Sequence, residues 1–300
     1  MLRECKLLVW DESTMSHKKA IEALNRTLQD LRDSTDIMGG IVVLLAGDFR
    51  QTLPVIQRGT PADEIQACIK SSSLWPTIEK LRLKTNMRVH LHNDVDSGLY
   101  AEMLLKIDDG CLDVDAEGYI SLSREFCNLV ESYVDLIANV FPELQQNLCS
   151  DHDQWLSARA ILAPKNEIVN RINTVILNEV QGEMKEYLSM DTIMDTKLST
   201  SCPVEFLNSL ELSGVPSHKL QLKLNVPVML MRNLDAPRLC NGTKLRITKL
   251  GQNILGATIL TGPTDLPFQF KRVQFPVKLS FAVTINKAQG QTLQVAGGHF

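Results

Sequence analysis

Two short apolar runs near the start of this 300-residue chain each end in groups that could handle a phosphate. Leu7-Leu8-Val9-Trp10 leads into Asp11-Glu12, and Ile41-Val42-Val43-Leu44-Leu45-Ala46 leads into Gly47-Asp48-Phe49-Arg50-Gln51. Adjacent carboxylates suit nucleoside triphosphate hydrolysis, in which one holds the water shell of Mg²⁺ and another orients the attacking water. Successive residues leaving a strand point in different directions, so Asp11 and Glu12 can divide those tasks. Gln51 offers an uncharged amide to a γ-phosphate or its attacking water. Arg88 offers a bidentate fork for a phosphate. Taken singly, Asp11-Glu12 also reads as a surface or capping pair, Gln51 as a loop residue and Arg88 as a surface cation. The phosphate loop Gly-x-x-x-x-Gly-Lys-Ser/Thr is missing, since no Gly-Lys dipeptide occurs in the 300 residues.

The elements that would position these groups follow from periodicity. The two apolar runs read as parallel strands buried on both faces, with ligands at their carboxyl ends. Ile21, Leu24, Leu28 and Leu31 predict a helix over 17–31, and Pro54, Gly59 and Pro61 punctuate a loop over 51–64. Ile78, Leu81 and Leu83 lead to Asn86-Met87-Arg88 as another strand tip. After an acidic connector from Asp108 to Gly118, a second α/β region begins, with helices over 123–140 and 166–181 around a strand at Ala160–Ala163. Residues 204–275 are strand-rich, and Asn241-Gly242 between Leu239-Cys240 and Leu245-Arg246-Ile247 predicts a two-residue hairpin and a plain turn. The α/β texture returns over 277–285, a strand ending in Thr284-Ile285-Asn286-Lys287-Ala288-Gln289-Gly290.

Composition sets bounds. The chain is 44% apolar, enough for a sizeable core in two domains, and no apolar run approaches the ~20 residues that span a bilayer. Seven dispersed cysteines without a Cys-x-x-Cys pair argue for reduced intracellular thiols and against a disulfide framework or zinc site. The net charge of −4 conceals an asymmetry: residues 201–300 hold 11 Lys and Arg against 4 Asp and Glu, a surplus of 7. A basic final third could track a phosphate backbone or simply be a solvated surface.

Together the segments resemble the Pif/RecD-type ATP-dependent DNA helicases, in particular the Helitron-like branch. Val9-Trp10-Asp11-Glu12 resembles its Walker B motif, and Gly47 through Ile56 its third motif almost residue for residue. Thr85-Asn86-Met87-Arg88 resembles the fourth motif, and Ile161-Leu162-Ala163-Pro164-Lys165-Asn166 the start of the second motor domain. Leu239-Cys240-Asn241-Gly242-Thr243 and Phe275 through Leu293 complete the series in order, over nearly the whole chain.

The resemblance implies an α/β fold of two RecA-like P-loop NTPase lobes with a small SH3-like β insertion in the second. It divides the chain into a partial first motor domain (1–98), a second motor domain (99–203), the insertion (204–275) and a continuation (276–300). It implies that Asp11 holds Mg²⁺ through water, that Glu12 is the catalytic base, that Gln51 senses the γ-phosphate of ATP and that Arg88 contacts it. Thr284, Asn286 and Lys287 would lie near single-stranded DNA, with Gln289 and Gly290 coupling it to the nucleotide. Lys244, Arg246, Lys249, Lys271 and Arg272 would form a DNA-facing surface of the insertion. The implied activity is 5′-to-3′ translocation by a monomer on single-stranded and forked duplex DNA, inside the cell and in the nucleus, in repair, recombination, telomere maintenance or transposition.

The departures are specific. The Walker A loop and the final helicase motif are absent from the 300 residues, so a catalytically dead remnant that keeps only DNA-binding surface is the alternative. Ser13-Thr14 replaces the family's more usual Ala-Pro, and the insertion is short between Gly262 and Leu266. A AAA-type ATPase is disfavoured by Gly47-Asp48-x-x-Gln51 with Asn286 through Gly290. His90-Leu91-His92 matches a His-hydrophobe-His nuclease motif, but no paired tyrosines follow, which leaves a loop as the expected reading.

Overall fold

The computed structural model describes residues 2–56, 59–92, 95–124, 126–149, 153–192, 204–210, 215–235, 239–259, 271–289 and 291–299. The chain forms two compact units, Met1–Asn128 and Leu129–Phe300. Residues 99–128 therefore pack with the first unit, beyond the expected boundary at 98.

The first unit contains β1 (Leu7–Trp10), α1 (Lys18–Arg32), β2 (Val42–Leu45), α2 (Pro61–Ala67), α3 (Met87–His92) and α4 (Val95–Asp108). β1 and β2 pair in parallel, with Leu7 opposite Val42 and Trp10 opposite Leu45. The predicted helix is α1, opened by the His17 ring accepting the Lys19 N–H and closed by Asp33 in the left-handed region. Ile21 and Leu28 are fully buried, packed with Leu8, Trp10, Val43 and Leu45 from one face of the sheet. The expectation of burial on both faces is corrected. Leu7, Val9, Val42 and Leu44 are exposed, because strand side chains alternate and α1 covers only one side. The strand expected before Arg88 is also corrected: residues 79–84 take no regular structure, and Leu81 and Leu83 are exposed. Asn86 instead starts a helix, its side chain accepting the Val89 N–H at 3.4 Å, which puts Arg88 in the first turn of α3.

The second unit runs α5 (Tyr133–Val140), α6 (Leu144–Cys149), α7 (Asp153–Ser157), β3 (Arg159–Ala163), α8 (Asn166–Glu179), β4 (Lys185–Leu188), β5 (Met190–Thr192), α9 (Val204–Asn208) and β6 (Lys219–Leu222). It continues with β7 (Pro227–Leu230), β8 (Lys244–Leu250), β9 (Leu255–Ile259), β10 (Lys271–Val273), β11 (Val277–Leu279), β12 (Ala282–Thr284), α10 (Ile285–Ala288) and β13 (Val295–Gly298). A parallel sheet has the order β12-β3-β13, an antiparallel sheet the order β11-β7-β8-β9, and β4–β6 and β5–β10 are antiparallel pairs. The helix predicted over 123–140 starts only at Tyr133, because the Ser132 side chain accepts the Asp135 N–H and caps it there. The hairpin predicted at Asn241-Gly242 is a different turn. β8 pairs with β7 and β9, Leu239 bridges Asp235, and Thr243 N–H closes the turn onto Cys240 O at 3.0 Å. Gly242 has φ +84° while Asn241 stays out of the left-handed region, as in a type II turn.

The strand predicted over 277–285 is split between two sheets. β11 pairs with β7, β12 pairs with β3, and the chain crosses between them at Ser280-Phe281. Phe281 is fully buried, edge-to-face with Phe141 at 5.6 Å. At this crossing the buried Asn173 of α8 donates to Leu279 O (3.3 Å) and Ala282 O (2.9 Å), and its Oδ1 accepts the Ala282 N–H (2.9 Å).

Two stability predictions follow from these contacts. Ile21→Ala should destabilise the first unit by about 2–5 kcal/mol, whereas Val42→Thr on the exposed face should stay within about 0.5 kcal/mol. Urea unfolding followed by Trp10 and Trp75 fluorescence in a Trp155→Phe background separates the two. Asn173→Leu should cost the second unit about 3 kcal/mol, because it strands a buried N–H and two carbonyls. Unfolding read from Trp155 measures that loss, and an unchanged midpoint would refute the clamp.

Candidate nucleotide and nucleic-acid sites

In the first unit the ends of β1 and β2 are bound to each other. Ser13 N–H and Oγ both donate to Ala46 O at 2.8 Å, and Thr14 Oγ1 donates to Asp48 O at 3.1 Å. A Cβ on Gly47 would lie 2.7 Å from Thr14 Oγ1, so only glycine permits this approach. Glu12 takes a left-handed conformation (φ 52°, ψ 33°), and its N–H donates to the exposed Asp11 carboxylate at 3.0 Å. The Glu12 Oε2 atom is buried and has no hydrogen-bond partner among the described residues. A carboxylate oxygen withheld from water and from the protein is available to a ligand. Ser13 and Thr14, a minor departure in the sequence, are thus the residues that hold the Asp11-Glu12 corner against the Gly47–Gln51 loop.

That loop is anchored on both sides. Phe49 lies edge-to-face with Trp75 at 5.7 Å, and Lys70 Nζ sits 3.9 Å above its ring. Arg50 makes a two-pronged contact with Asp109 (3.0 and 3.1 Å) and approaches Asp108 at 3.3 Å. Its pKa is raised by the Asp109 hydrogen bond and charge. Gln51 follows this anchor, half-buried, with its N–H donating to Asp48 O at 3.2 Å. Arg88, elsewhere in this unit, stands on α3.

The second unit gathers the other candidates at the carboxyl end of β12. Thr284 precedes α10, which carries Asn286 and Lys287, and the half-buried Gln289 follows it. Gly290 lies outside the described residues. Lys287 Nζ donates to Oδ1 of the buried Asn241 at 3.3 Å, so the Asn-Gly turn is not a plain one. Lys244 and Arg246, expected on a DNA-facing surface, are instead buried on the inner strand β8, 2% and 8% exposed. Arg246 Nε lies 2.6 Å from Asp153 Oδ1, a charge contact that lacks hydrogen-bond alignment. Lys244 Nζ has no hydrogen-bond partner among the described residues, and burial lowers its pKa to about 8. The stretch between Gly262 and Leu266 lies outside the described residues, as do parts of the expected insertion.

The residues present fit a Mg²⁺ site in part. Mg²⁺ keeps most of its waters and takes one or two carboxylates plus substrate phosphates, which the exposed Asp11 carboxylate matches. Among the described residues no group of three or more His, Cys, Asp or Glu could hold a metal by itself. No helix among the described residues is long and apolar enough to cross a membrane.

A parallel β-sheet whose two strand tips present an Asp-Glu pair and a Gly-Asp-x-x-Gln loop, joined in one chain to a second α/β unit, is an arrangement suited to nucleotide chemistry. The PIF1-like helicase family model matches residues 1–118, and the model for the DNA helicase Pif1 2B domain matches residues 205–250. Over these stretches the chain is similar to Pif1-type helicases. It is 25% identical to the ATP-dependent DNA helicase PIF1 of Xenopus laevis and 25% identical to that of Homo sapiens, over 96% of this chain and 41% of each relative. It therefore spans less than half the length of these curated relatives. Its fold matches the Pif1 helicase of Candida albicans (TM-score 0.61, 22% identity, 99% of this chain and 67% of that one). It also matches Bacteroides Pif1 in complex with ADP-AlF3 and single-stranded DNA (TM-score 0.60, 18% identity, 100% and 65%). The fold is thus the mixed α/β fold of Pif1 helicases, whose lobes are RecA-like.

The buried Lys244 sets a pH dependence. Its folded pKa of about 8 lies below the unfolded value of 10.5, so the unfolded chain binds more protons between them. The destabilising contribution is complete below pH 8 and is relieved as pH rises toward 10.5, by about 1.4 kcal/mol per unit of difference. Thermal melts at pH 7 and pH 9.5 should show Lys244→Met more stable than the parent at pH 7, with the gap closing at pH 9.5. A constant gap would refute the assignment.

Proposed function

We propose that this protein is an ATP-dependent DNA helicase, which couples hydrolysis to 5′-to-3′ movement along single-stranded DNA and opens forked duplexes. The observation that carries this reading is the unpartnered, buried Glu12 oxygen at a corner tied by Ser13 and Thr14 to the Gly47–Gln51 loop. Mg²⁺ with ATP would supply the electrophilic γ-phosphate and neutralise charge as it leaves. Asp11 would hold the ion through water. Glu12 would take the proton of the attacking water, since its free oxygen has no other partner to satisfy. Gln51, kept in place by the Phe49 and Arg50 anchors, would donate its amide to the phosphate or the water without altering the charge. Arg88 would supply a cation to the same phosphate. The strand would lie along Thr284, Asn286 and Lys287 of the second unit.

Solved Pif1 helicases include one bound to single-stranded DNA and one described as two coordinating helicases unwinding forked duplex DNA, which supports this substrate class. We extend the proposal to action in the nucleus, in repair, recombination, telomere maintenance or transposition, by a protein that works as a monomer. A second reading is favoured by the missing Gly-Lys dipeptide: these 300 residues alone bind DNA without hydrolysing ATP, because they lack the lysine and backbone cradle for the β- and γ-phosphates.

DNA-stimulated ATP hydrolysis, measured on this chain and on the longest reading frame that contains it, separates the readings. Glu12→Gln should lower the rate at least 100-fold (about 2.7 kcal/mol) with DNA affinity unchanged. Hydrolysis that survives this substitution would remove Glu12 from the chemistry.

A further inference from the structure

The acidic connector that opens at Asp108 has a structural partner in the first unit. Helix α4 ends there in a left-handed closure: Gly110 (φ +65°) donates its N–H to Ile107 O at 3.1 Å, and Cys111 donates to Lys106 O at 2.8 Å. This crossed pair of bonds is the Schellman arrangement, and it fixes Asp109 as the last residue before the reversal. Asp108 and Asp109 thus stand at the negative end of a helix dipole, where cations are favoured and carboxylates are not. Arg50 meets both. Its Nε and Nη2 donate to the two Asp109 oxygens at 3.0 and 3.1 Å, and Nε lies 3.3 Å from Asp108. The contact joins residues 59 apart in sequence, so it ties the Gly47–Gln51 loop to the end of α4.

On its other side the loop is held through Asp48. The Asp48 carbonyl accepts the Gln51 N–H at 3.2 Å and Thr14 Oγ1 at 3.1 Å, and Asp48 Oδ1 accepts the Arg50 N–H at 2.9 Å. Gln51 is therefore next in sequence to Arg50 and one hydrogen bond from the carbonyl that anchors the Asp11-Glu12 corner. We infer that Arg50 and Asp109 are positioning residues for Gln51: their two-pronged contact sets how far its amide reaches toward a nucleotide phosphate. A guanidinium–carboxylate fork fixes orientation as well as distance, which an ammonium cannot do. Both side chains are exposed (48% and 47%), so the pair adds little to global stability. Its effect is geometric, since a misplacement of about 1 Å near a reacting group can cost about 100-fold in rate. The role of Gln51 rests on the ATP-hydrolysis reading, whereas the brace rests on these contacts alone.

Two measurements test the brace. In the longest reading frame that contains this chain, Asp109→Asn and Arg50→Gln should each lower kcat for DNA-stimulated ATP hydrolysis about tenfold, with KM for ATP within about twofold of the parent. The double variant should lose no more than either single one, because both remove the same contact. Arg50→Lys, which keeps the charge and loses the fork, should fall with them. Lys219→Gln, whose lysine pairs with Glu186 on the surface of the second unit, is the control that leaves kcat unchanged. In the 300-residue chain with Trp10 and Trp155 replaced by Phe, acrylamide quenching of Trp75 reads the loop without turnover, since Phe49 lies against that ring. Asp109→Asn should raise the quenching constant about 1.5-fold at an unchanged melting temperature, because a loop with one support opens more often. Quenching at the parent value, or a double variant equal to the product of the singles, would overturn the brace. A raised KM at constant kcat in Arg50→Gln would make Arg50 itself a phosphate ligand and overturn its positioning role. A parent that hydrolyses no ATP would defeat the ATPase reading, and Trp75 quenching would still decide the brace.

Discussion

One buried amide determines where the second unit can place its chemistry. Between β11 and β12 the chain leaves one sheet and enters another, and backbone groups at such a crossing have no ladder to join. Asn173 supplies the missing partners, donating to Leu279 O and Ala282 O and accepting from Ala282 N–H. Its neighbours Ile172, Ile176 and Leu177 on α8 are buried in the core, so the amide is held by packing on a rigid helix. Lys278 precedes the crossing, and Thr284, Asn286 and Lys287 follow it. A shift in this clamp would therefore move both segments at once.

The first unit solves a related problem with hydroxyls. Two parallel strands must deliver their tips to one location, yet a parallel pair has no hairpin to fix its ends. Ser13 and Thr14 supply that link across to Ala46 and Asp48, at the close approach that only Gly47 allows. The left-handed Glu12 costs on the order of 1 kcal/mol, and the surrounding bonds sustain it. In return the corner turns tightly enough to withhold one Glu12 oxygen from water.

Elements with a strong local signal were legible in the sequence. The periodic apolar residues of α1 and α8 and the apolar runs of β1, β2 and β3 lie where periodicity places them. What stayed hidden depends on contacts distant in sequence. Nothing in Phe275–Gln289 announces that its strand divides between two sheets, because the signal is Asn173, more than a hundred residues earlier. Nor does periodicity tell that one face of β1 and β2 is exposed, since a short apolar run reads the same with one face covered or two. Other misses carried readable cues. Asn86 before Met87 is an ordinary helix opener, and Ser132 before Asp135 is another. Of the site, the Asp11-Glu12 and Gly47–Gln51 tips were legible as adjacent strand ends, while the hydroxyl bridge between them was not.

Charge counts gave the least reliable guide, for a physical reason. A surplus of cations counts all lysines and arginines alike, but their free energies diverge with their surroundings. Arg246 and Lys244 lie two residues apart on one face of β8 and are both buried. Arg246 is an internal ion pair because Asp153 lies against it, and truncating Asp153 would leave a stranded cation. Among the described residues Lys244 has no such partner. The basic third of this chain thus holds cations whose energies are set by their neighbours: Arg246 has a carboxylate against it, whereas burial alone acts on Lys244.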